Sequence, residues 1–138
     1  MYLKQSELFW GLNQNFIRSL TAGATKQNYQ PDETVFSAED AADYFYVLIQ
    51  GRIRLQLNGS GTGVYTSERI GEAFGWSALI GRETYSASCV CEKQTVLLRF
   101  GKQEICRLLD QDAESAAIFF RQLAGALGKR LMQLYQVI

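Results

Sequence analysis

The fold class follows from one stretch, YFYVLIQGRIRLQL, at residues 44–57. It contains two runs rich in aromatic, β-branched and other apolar residues, and the pair Gln50-Gly51 between them is typical of a turn. In the second run, apolar and polar side chains alternate, with Ile53, Leu55 and Leu57 against Arg52, Arg54 and Gln56. Alternation with a period of two predicts a strand with one buried face. The centre of the chain is therefore predicted to be sheet.

Similar short runs extend from Tyr29 to Phe100, and turn-rich pieces at 30–33 and 58–63 separate them. This spacing is typical of an antiparallel sandwich or barrel. The glycine-rich piece at 59–63 lies between two predicted strands and does not open a helix, so we interpret it as a hairpin loop and not as a phosphate-binding loop.

At both ends of the chain the apolar period becomes helical. The apolar residues of the first helical segment are Leu8, Phe9, Leu12, Phe16, Ile17 and Leu20, and those of a short helix after the sheet are Ile105, Leu108 and Leu109. Asn13 and Asp112 are predicted to cap helices, because their side chains can accept hydrogen bonds from free backbone N–H groups. The predicted order is helix, antiparallel sheet, helix, within a single domain of 138 residues.

Composition excludes several classes of function. Fourteen basic and fourteen acidic residues cancel, so we expect no attraction to DNA or to a lipid surface from net charge alone. The first ten residues interrupt their apolar positions with polar ones, and no apolar run is long enough to span a bilayer. We therefore expect a cytoplasmic protein without membrane attachment.

Cysteine and histidine content argues against an enzyme and against a metal centre. The three cysteines, Cys89, Cys91 and Cys106, form an odd set that predicts free thiols. Cys89 and Cys91 are two apart in a predicted strand and should share a buried face. The chain contains no histidine, the commonest metal ligand and general base, and three thiols do not complete a zinc site. We expect no metal, no cofactor and no catalytic residues.

Three motifs lie at 29–36, at 39–53 and at 70–79 with 85–87. Together they resemble the cyclic-nucleotide-binding domain family, the jelly-roll sensor of the cyclic-AMP receptor protein, kinase regulatory subunits and gated channels. The first, YQPDETVF at 29–36, is similar to a family turn in which glycine is usual at the position of Asp32. The second runs from Glu39 to Ile53, where Gly51 matches the family and Glu39 replaces a glycine. The third is IGEAFGWSAL at 70–79 followed by YSA at 85–87. It resembles the family's phosphate-binding cassette.

The resemblance implies a mainly β fold, an antiparallel double-stranded β-helix or jelly roll with flanking helices. It implies N-terminal helices within 1–28, a jelly roll at 29–101 with a short cassette helix at 71–79, and C-terminal helices, one of them long, within 102–138. It also implies a non-enzymatic sensor for signal transduction or transcription regulation.

The same resemblance identifies two departures at the candidate ligand site. In the family, a glutamate after the second cassette glycine binds the ribose and an arginine before the Ser-Ala pair binds the phosphate, whereas this chain has Trp76 and Tyr85 there. We expect cyclic AMP and cyclic GMP not to bind in the usual way. The two aromatic side chains either fill the emptied pocket or form a platform for another small molecule, and Arg82 is expected to be solvated. The candidate ligand-binding residues are Gly71, Glu72, Ala73, Phe74, Gly75, Trp76, Ser77, Ala78, Arg82, Tyr85, Ser86 and Ala87.

A long apolar stripe near the end of the chain predicts a homodimer, because it exceeds what one small sandwich can cover. Its members are Phe120, Leu123, Leu127, Leu131, Leu134 and Ile138. The alternative is that the stripe folds back on its own sheet. Two other hypotheses for the whole protein are an interaction module without a ligand and the sensor half of a transcription regulator whose DNA-binding part lies elsewhere. The 138 residues themselves are not expected to bind DNA.

Overall fold

The computed structural model describes residues 6–57 and 64–137, apart from the side chains of 57, 64 and 134–137. The predicted hairpin loop at 59–63, the Leu134 side chain and Ile138 lie outside the described residues. The described residues form eight strands: β1 Thr25–Tyr29, β2 Thr34–Phe36, β3 Tyr44–Gln50, β4 Ile53–Leu57, β5 Val64–Ser67, β6 Ala73–Phe74, β7 Ala87–Cys91 and β8 Thr95–Gly101. Three helices flank them: α1 Gln14–Ala22, α2 Lys102–Gln111 and α3 Ala113–Val137.

The strands form two antiparallel four-stranded sheets, in the orders β1-β8-β3-β6 and β2-β7-β4-β5. Two sheets of this kind with helices at both ends of the chain confirm the predicted class, a mainly β jelly roll with flanking helices. No helix within residues 6–57 and 64–137 is long and apolar enough to cross a membrane.

The continuous apolar run of β3 reflects burial on both faces. Phe45 and Val47 face a core shared with the helices, whereas Tyr46 and Leu48 face a second core between the two sheets. A strand that is covered on both sides carries apolar side chains on both faces, so its sequence does not alternate between apolar and polar residues. In β4, Ile53 is 1% exposed, as its alternating pattern predicts.

Both predicted caps are confirmed. The Asn13 Oδ1 atom accepts hydrogen bonds from the backbone N–H groups of Asn15 and Phe16 at the start of α1. The Asp112 Oδ1 atom accepts from the backbone N–H of Ser115 in the first turn of α3. Each side chain satisfies a donor that the helix leaves unpaired.

Two predicted boundaries are wrong. Residues 25–28 do not belong to the N-terminal helices, because β1 begins at Thr25 and pairs with β8. Its side chains are mostly exposed at the sheet edge, so no alternating apolar pattern marks it. The cassette helix expected at 71–79 is instead strand β6 followed by one turn of 3-10 helix at Trp76–Ala78. Ala73 and Phe74 pair with β3, so their backbone hydrogen-bonding groups are engaged in the sheet and not in a helix.

The two positions where the resemblance expects glycine have the backbone conformation that favours glycine. Asp32 has φ 71° and Glu39 has φ 76°, and both values lie in the left-handed region that most side chains avoid. Gly51, which matches the family, has φ 106°. A Cβ atom at Gly51 would meet Thr95 Oγ1 and would lie 2.6 Å from the Gln94 carbonyl oxygen. The chain thus adopts a left-handed turn conformation at Asp32 and Glu39 although neither is glycine.

Cys89 and Cys91 share a buried face of β7, as predicted, and all three thiols are free. Burial raises the pKa of Cys89 and of Cys91 above the ordinary thiol value. Because the thiolate is the reactive form, both groups are held in their less reactive state. Within residues 6–57 and 64–137, no three acidic or thiol side chains gather into a group that could hold a metal ion.

Candidate ligand site

Tyr85, at the position where the resemblance expects arginine, is a core residue. It is 3% exposed, and its ring stacks on Phe36 with 3.9 Å between the ring centroids. Its hydroxyl donates to the Tyr44 carbonyl oxygen at 2.5 Å and accepts from the Tyr44 backbone N–H at 3.2 Å. Burial is the main cause that raises the pKa of Tyr85 to about 12. The phenol is therefore neutral, packed between the sheets and fully hydrogen-bonded.

Trp76, at the position where the resemblance expects glutamate, lies against a different core cluster from Tyr85. It is partly buried and packs against the cluster shared with the helices, whereas Tyr85 belongs to the cluster between the sheets. The indole Nε1 atom is buried and has no hydrogen-bond partner among the described residues. The two substituted positions therefore do not form a single aromatic platform.

The acidic group of the cassette is Glu72, which is 4% exposed. Ser67 Oγ donates to its Oε1 atom at 2.6 Å, and Tyr65 OH donates to its Oε2 atom at 2.5 Å. Arg130 Nη2 of α3 also donates to Oε2, and the more exposed Arg69 lies 3.4 Å from Oε1. A carboxylate removed from water needs such a counter-charge. Arg130 is the better-shielded of its two arginine partners.

The Arg130 guanidinium lies between two aromatic rings. Its carbon atom is 4.2 Å from the Trp76 ring centroid and 4.3 Å from the Tyr65 ring centroid. Both distances are within the range of a cation–π interaction, and the side chain is 14% exposed. Burial, followed by the hydrogen bond to Glu72, raises the pKa of Tyr65. The last helix is thus tied to the cassette by one charged side chain.

The N-terminal segment also contacts the cassette. Ser6 Oγ donates to the Gly71 carbonyl oxygen at 2.9 Å, and the Glu7 carboxylate accepts from the Ala73 backbone N–H at 2.9 Å. Burial is the largest cause that raises the pKa of Glu7, and the nearby Glu72 charge adds to it. Residues 6 and 7 and helix α3 therefore both contact residues 71–73.

The other candidate residues divide into buried and exposed groups. Ala73, Phe74, Ser77 and Ala78 are buried, and Gly75 adopts a left-handed conformation after β6. Arg82 and Ser86 are exposed, and Ala87 begins β7. Arg82 contacts the cassette through its backbone N–H, which donates to the Ser77 carbonyl oxygen. Its exposed side chain agrees with the predicted solvated position.

The predicted dimer stripe is divided between two environments. Leu123 is 3% exposed within its own chain, and Leu127 packs against the same core. Phe120 is 45% exposed and Leu131 is 48% exposed. Leu123 therefore belongs to the fold-back alternative, while Phe120 and Leu131 remain available to a partner.

Sequence reasoning missed Arg130 and Tyr65, two of the principal partners of Glu72. Arg130 is 58 positions from Glu72 along the chain, so no local spacing relates them. In the sequence, Lys129 and Arg130 stand side by side between Leu127 and Leu131, and nothing in this local pattern distinguishes Arg130 as a partner of the cassette.

Comparison with known proteins decides the family. The family model described as "Cyclic nucleotide-binding domain" matches residues 26–112, well over half of the chain. The chain belongs to this family. Among curated proteins, this cyclic nucleotide-binding domain is 26% identical over 108 residues to a cGMP-dependent protein kinase of Toxoplasma gondii, covering 78% of the chain and 11% of the kinase. The domain thus spans about a tenth of that relative's length.

Solved structures share the fold of this cyclic nucleotide-binding domain. A putative cyclic nucleotide-binding protein from Geobacter metallireducens superimposes with a TM-score of 0.83 at 18% identity, covering 94% of this chain and 95% of that one. The sensor domain of the transcriptional regulator DNR from Pseudomonas aeruginosa superimposes with a TM-score of 0.75 at 21% identity, covering 94% and 89%. At these identities the likeness concerns the fold.

Proposed function

We propose that this cyclic nucleotide-binding domain is a non-enzymatic regulatory sensor that does not recognise cyclic AMP or cyclic GMP through the family's usual groups. The observation that carries the proposal is the position of Tyr85. Its ring is buried against Phe36 and its hydroxyl is bonded to the Tyr44 backbone, where the resemblance expects a phosphate-binding guanidinium. A neutral phenol that is already hydrogen-bonded offers a phosphate neither charge nor a free donor.

The other arginines near the cassette do not take over this role. The Arg82 side chain is exposed to solvent, and the Arg69 side chain is 65% exposed and paired with Glu72. The Arg130 guanidinium is already bonded to Glu72 and covered by two rings. Charge-assisted hydrogen bonds contribute about 1.5–3 kcal/mol each, and each 1.36 kcal/mol corresponds to a factor of ten in affinity. Loss of the family's arginine and glutamate therefore weakens a cyclic nucleotide by several powers of ten.

The regulatory role is inferred from the family and from two similar proteins, a cGMP-dependent protein kinase and the sensor domain of the transcriptional regulator DNR. A second candidate, a dimeric interaction module without a ligand, is favoured by the exposed apolar residues of α3. These are Phe120, Leu131 and Met132. A homodimer through this face of α3 is compatible with both candidates.

The test is to restore both recognition groups. The double variant Tyr85→Arg with Trp76→Glu should gain measurable affinity for cyclic AMP by calorimetry, and each single variant should gain less. A guanidinium at position 85 is buried beside Phe36, so circular dichroism must first establish that the double variant is folded. Tyr85→Met with Trp76→Glu is the matched control, because methionine opens similar space without a charge. A folded double variant that binds no better than this control contradicts the proposed cause.

A further inference from the structure

Three side chains of the β-sandwich surround a single cation. The Arg130 guanidinium lies over the rings of Tyr65 and Trp76 and donates a hydrogen bond to the Glu72 carboxylate. We name Tyr65, Ser67, Glu72 and Trp76 the cation pocket. Its walls come from β5, the segment before β6 and the 3-10 turn. Its occupant comes from α3, more than fifty residues later in the chain.

The cation pocket is suited to an organic cation. Tyr65 OH and Ser67 Oγ hold the Glu72 carboxylate in place without neutralising it. Arg69 lies at the rim, with 65% of its side chain exposed and 3.4 Å between the charged atoms. With Arg130 withdrawn, the Glu72 carboxylate remains flanked by two ring faces, and Arg69 at the rim is its remaining charged partner among the described residues. Such a site attracts a cation by charge and by the quadrupoles of the rings.

A flat guanidinium fits these walls better than other cations. Its plane can contact aromatic faces while its edge donates hydrogen bonds to a carboxylate. An ammonium group is more strongly hydrated than a guanidinium and therefore loses more hydration free energy when it enters a buried site. A calcium or magnesium ion requires several oxygen ligands, and the cation pocket supplies one carboxylate and two hydroxyl groups.

Two further observations concern the cation pocket: one of its hydrogen-bond donors is unpaired among the described residues, and Arg130 is on a weakly buried part of α3. The Trp76 Nε1 donor is buried without a partner among the described residues, although buried donors are almost always paired. Among the residues of α3 up to 133, the last buried one is Ala126, and residues 128, 129 and 131–133 are exposed. Between Gly128 and residue 133, therefore, Arg130 can leave the cation pocket without withdrawing a buried apolar side chain from the core.

We propose that the cation pocket is a binding site for a small alkylguanidinium compound, and that Arg130 occupies it when the ligand is absent. The ligand replaces the Arg130 guanidinium between the rings and on Glu72. An acceptor atom in the ligand would bind the free Trp76 Nε1 donor. Displacement of Arg130 releases the part of α3 that follows Leu127. This inference rests on the proposed function, because it supplies the ligand class that a sensor without cyclic nucleotide recognition requires.

The first test empties the cation pocket. Arg130→Ala should be less stable than wild type, and ethylguanidinium at millimolar concentration should raise its melting temperature by several degrees, because a ligand of the folded state stabilises it. Ethylammonium at the same concentration should raise it much less. The matched control is Glu72→Gln with Arg130→Ala, which should not respond. A folded Arg130→Ala protein that does not respond, or an equal response of the control, overturns the proposal.

The second test uses the wild-type chain and does not depend on the variants. Saturating ethylguanidinium should accelerate hydrogen exchange several-fold at the backbone amides of 127–133 and leave β3 and β8 unchanged. Unchanged exchange in α3, or uniform acceleration throughout the sandwich, overturns the proposal. Cyclic AMP is titrated in parallel. Micromolar binding of cyclic AMP would contradict the proposed function, whereas a missing guanidinium effect alone would contradict only this inference.

Discussion

Removal of the Tyr85 hydroxyl should destabilise the protein by about 1–2 kcal/mol, since leaving buried hydrogen-bonding groups unpaired costs about 1–3 kcal/mol. Tyr85→Phe keeps the ring that stacks on Phe36 and removes only the oxygen that bonds the carbonyl and N–H of Tyr44. The lower half of the range applies because Tyr44 itself is 37% exposed, so water can replace part of the lost bonding. Urea unfolding followed by circular dichroism measures the difference.

Tyr46→Phe is the matched control, because it removes a phenol hydroxyl from the same core cluster and leaves the hydrogen bonds between Tyr85 and Tyr44 intact. It should change stability much less. The pH dependence gives a second readout. The Tyr85 pKa is raised from 10.0 to about 12, so its stabilising contribution is complete below pH 10 and is lost as the pH rises towards 12. The stability difference between wild type and Tyr85→Phe should shrink over this range. Equal effects of the two substitutions, or a difference independent of pH, would refute the packing described for Tyr85.

Three other predictions concern the turns and the last helix. Gly51→Ala should lower the free energy of unfolding in urea by more than about 2 kcal/mol, because strain at positive φ costs about 1–2 kcal/mol and the new Cβ would also collide with Thr95. The control Gly81→Ala introduces the strain without the collision and should lower it less. Glu39→Gly should stabilise the fold by up to about 1 kcal/mol, because glycine adopts the observed φ of 76° without strain; no gain in melting temperature would contradict this. Leu131→Asp should dissociate the proposed dimer, as measured by light scattering, without unfolding the sandwich, as measured by circular dichroism. Leu123→Asp should unfold the sandwich. An unchanged molecular mass for Leu131→Asp argues against a dimer interface at Leu131.

The fold was largely predictable because its signals are local. The turn at Gln50-Gly51, the alternation in β4 and the caps at Asn13 and Asp112 depend on residues close together in the chain, and the structure places all of them as expected. Strand β1 was missed because an exposed edge strand carries no apolar alternation and exists through its pairing with β8. The cassette helix was misjudged for the same reason, since β6 depends on pairing with β3.

The candidate site was less predictable because its main contacts are long-range. Sequence reasoning identified Trp76 and Tyr85 as departures but left open whether they fill space or form a platform. The structure buries Tyr85 between the sheets and pairs Trp76 with Arg130, a residue that no motif connected with the cassette. Likewise, periodicity placed Leu123 and Leu131 on one stripe, but the position of α3 on the sandwich decides which of them is buried.

The most direct test of the proposed function is a calorimetric titration of the wild-type chain with cyclic AMP and with cyclic GMP at micromolar concentrations. A buried phosphate without a counter-charge loses its hydration without compensation, and Tyr85 supplies no charge. We expect no binding heat beyond dilution for either nucleotide. A micromolar dissociation constant for either one would contradict the proposal and would show that a phosphate is recognised without an arginine at position 85.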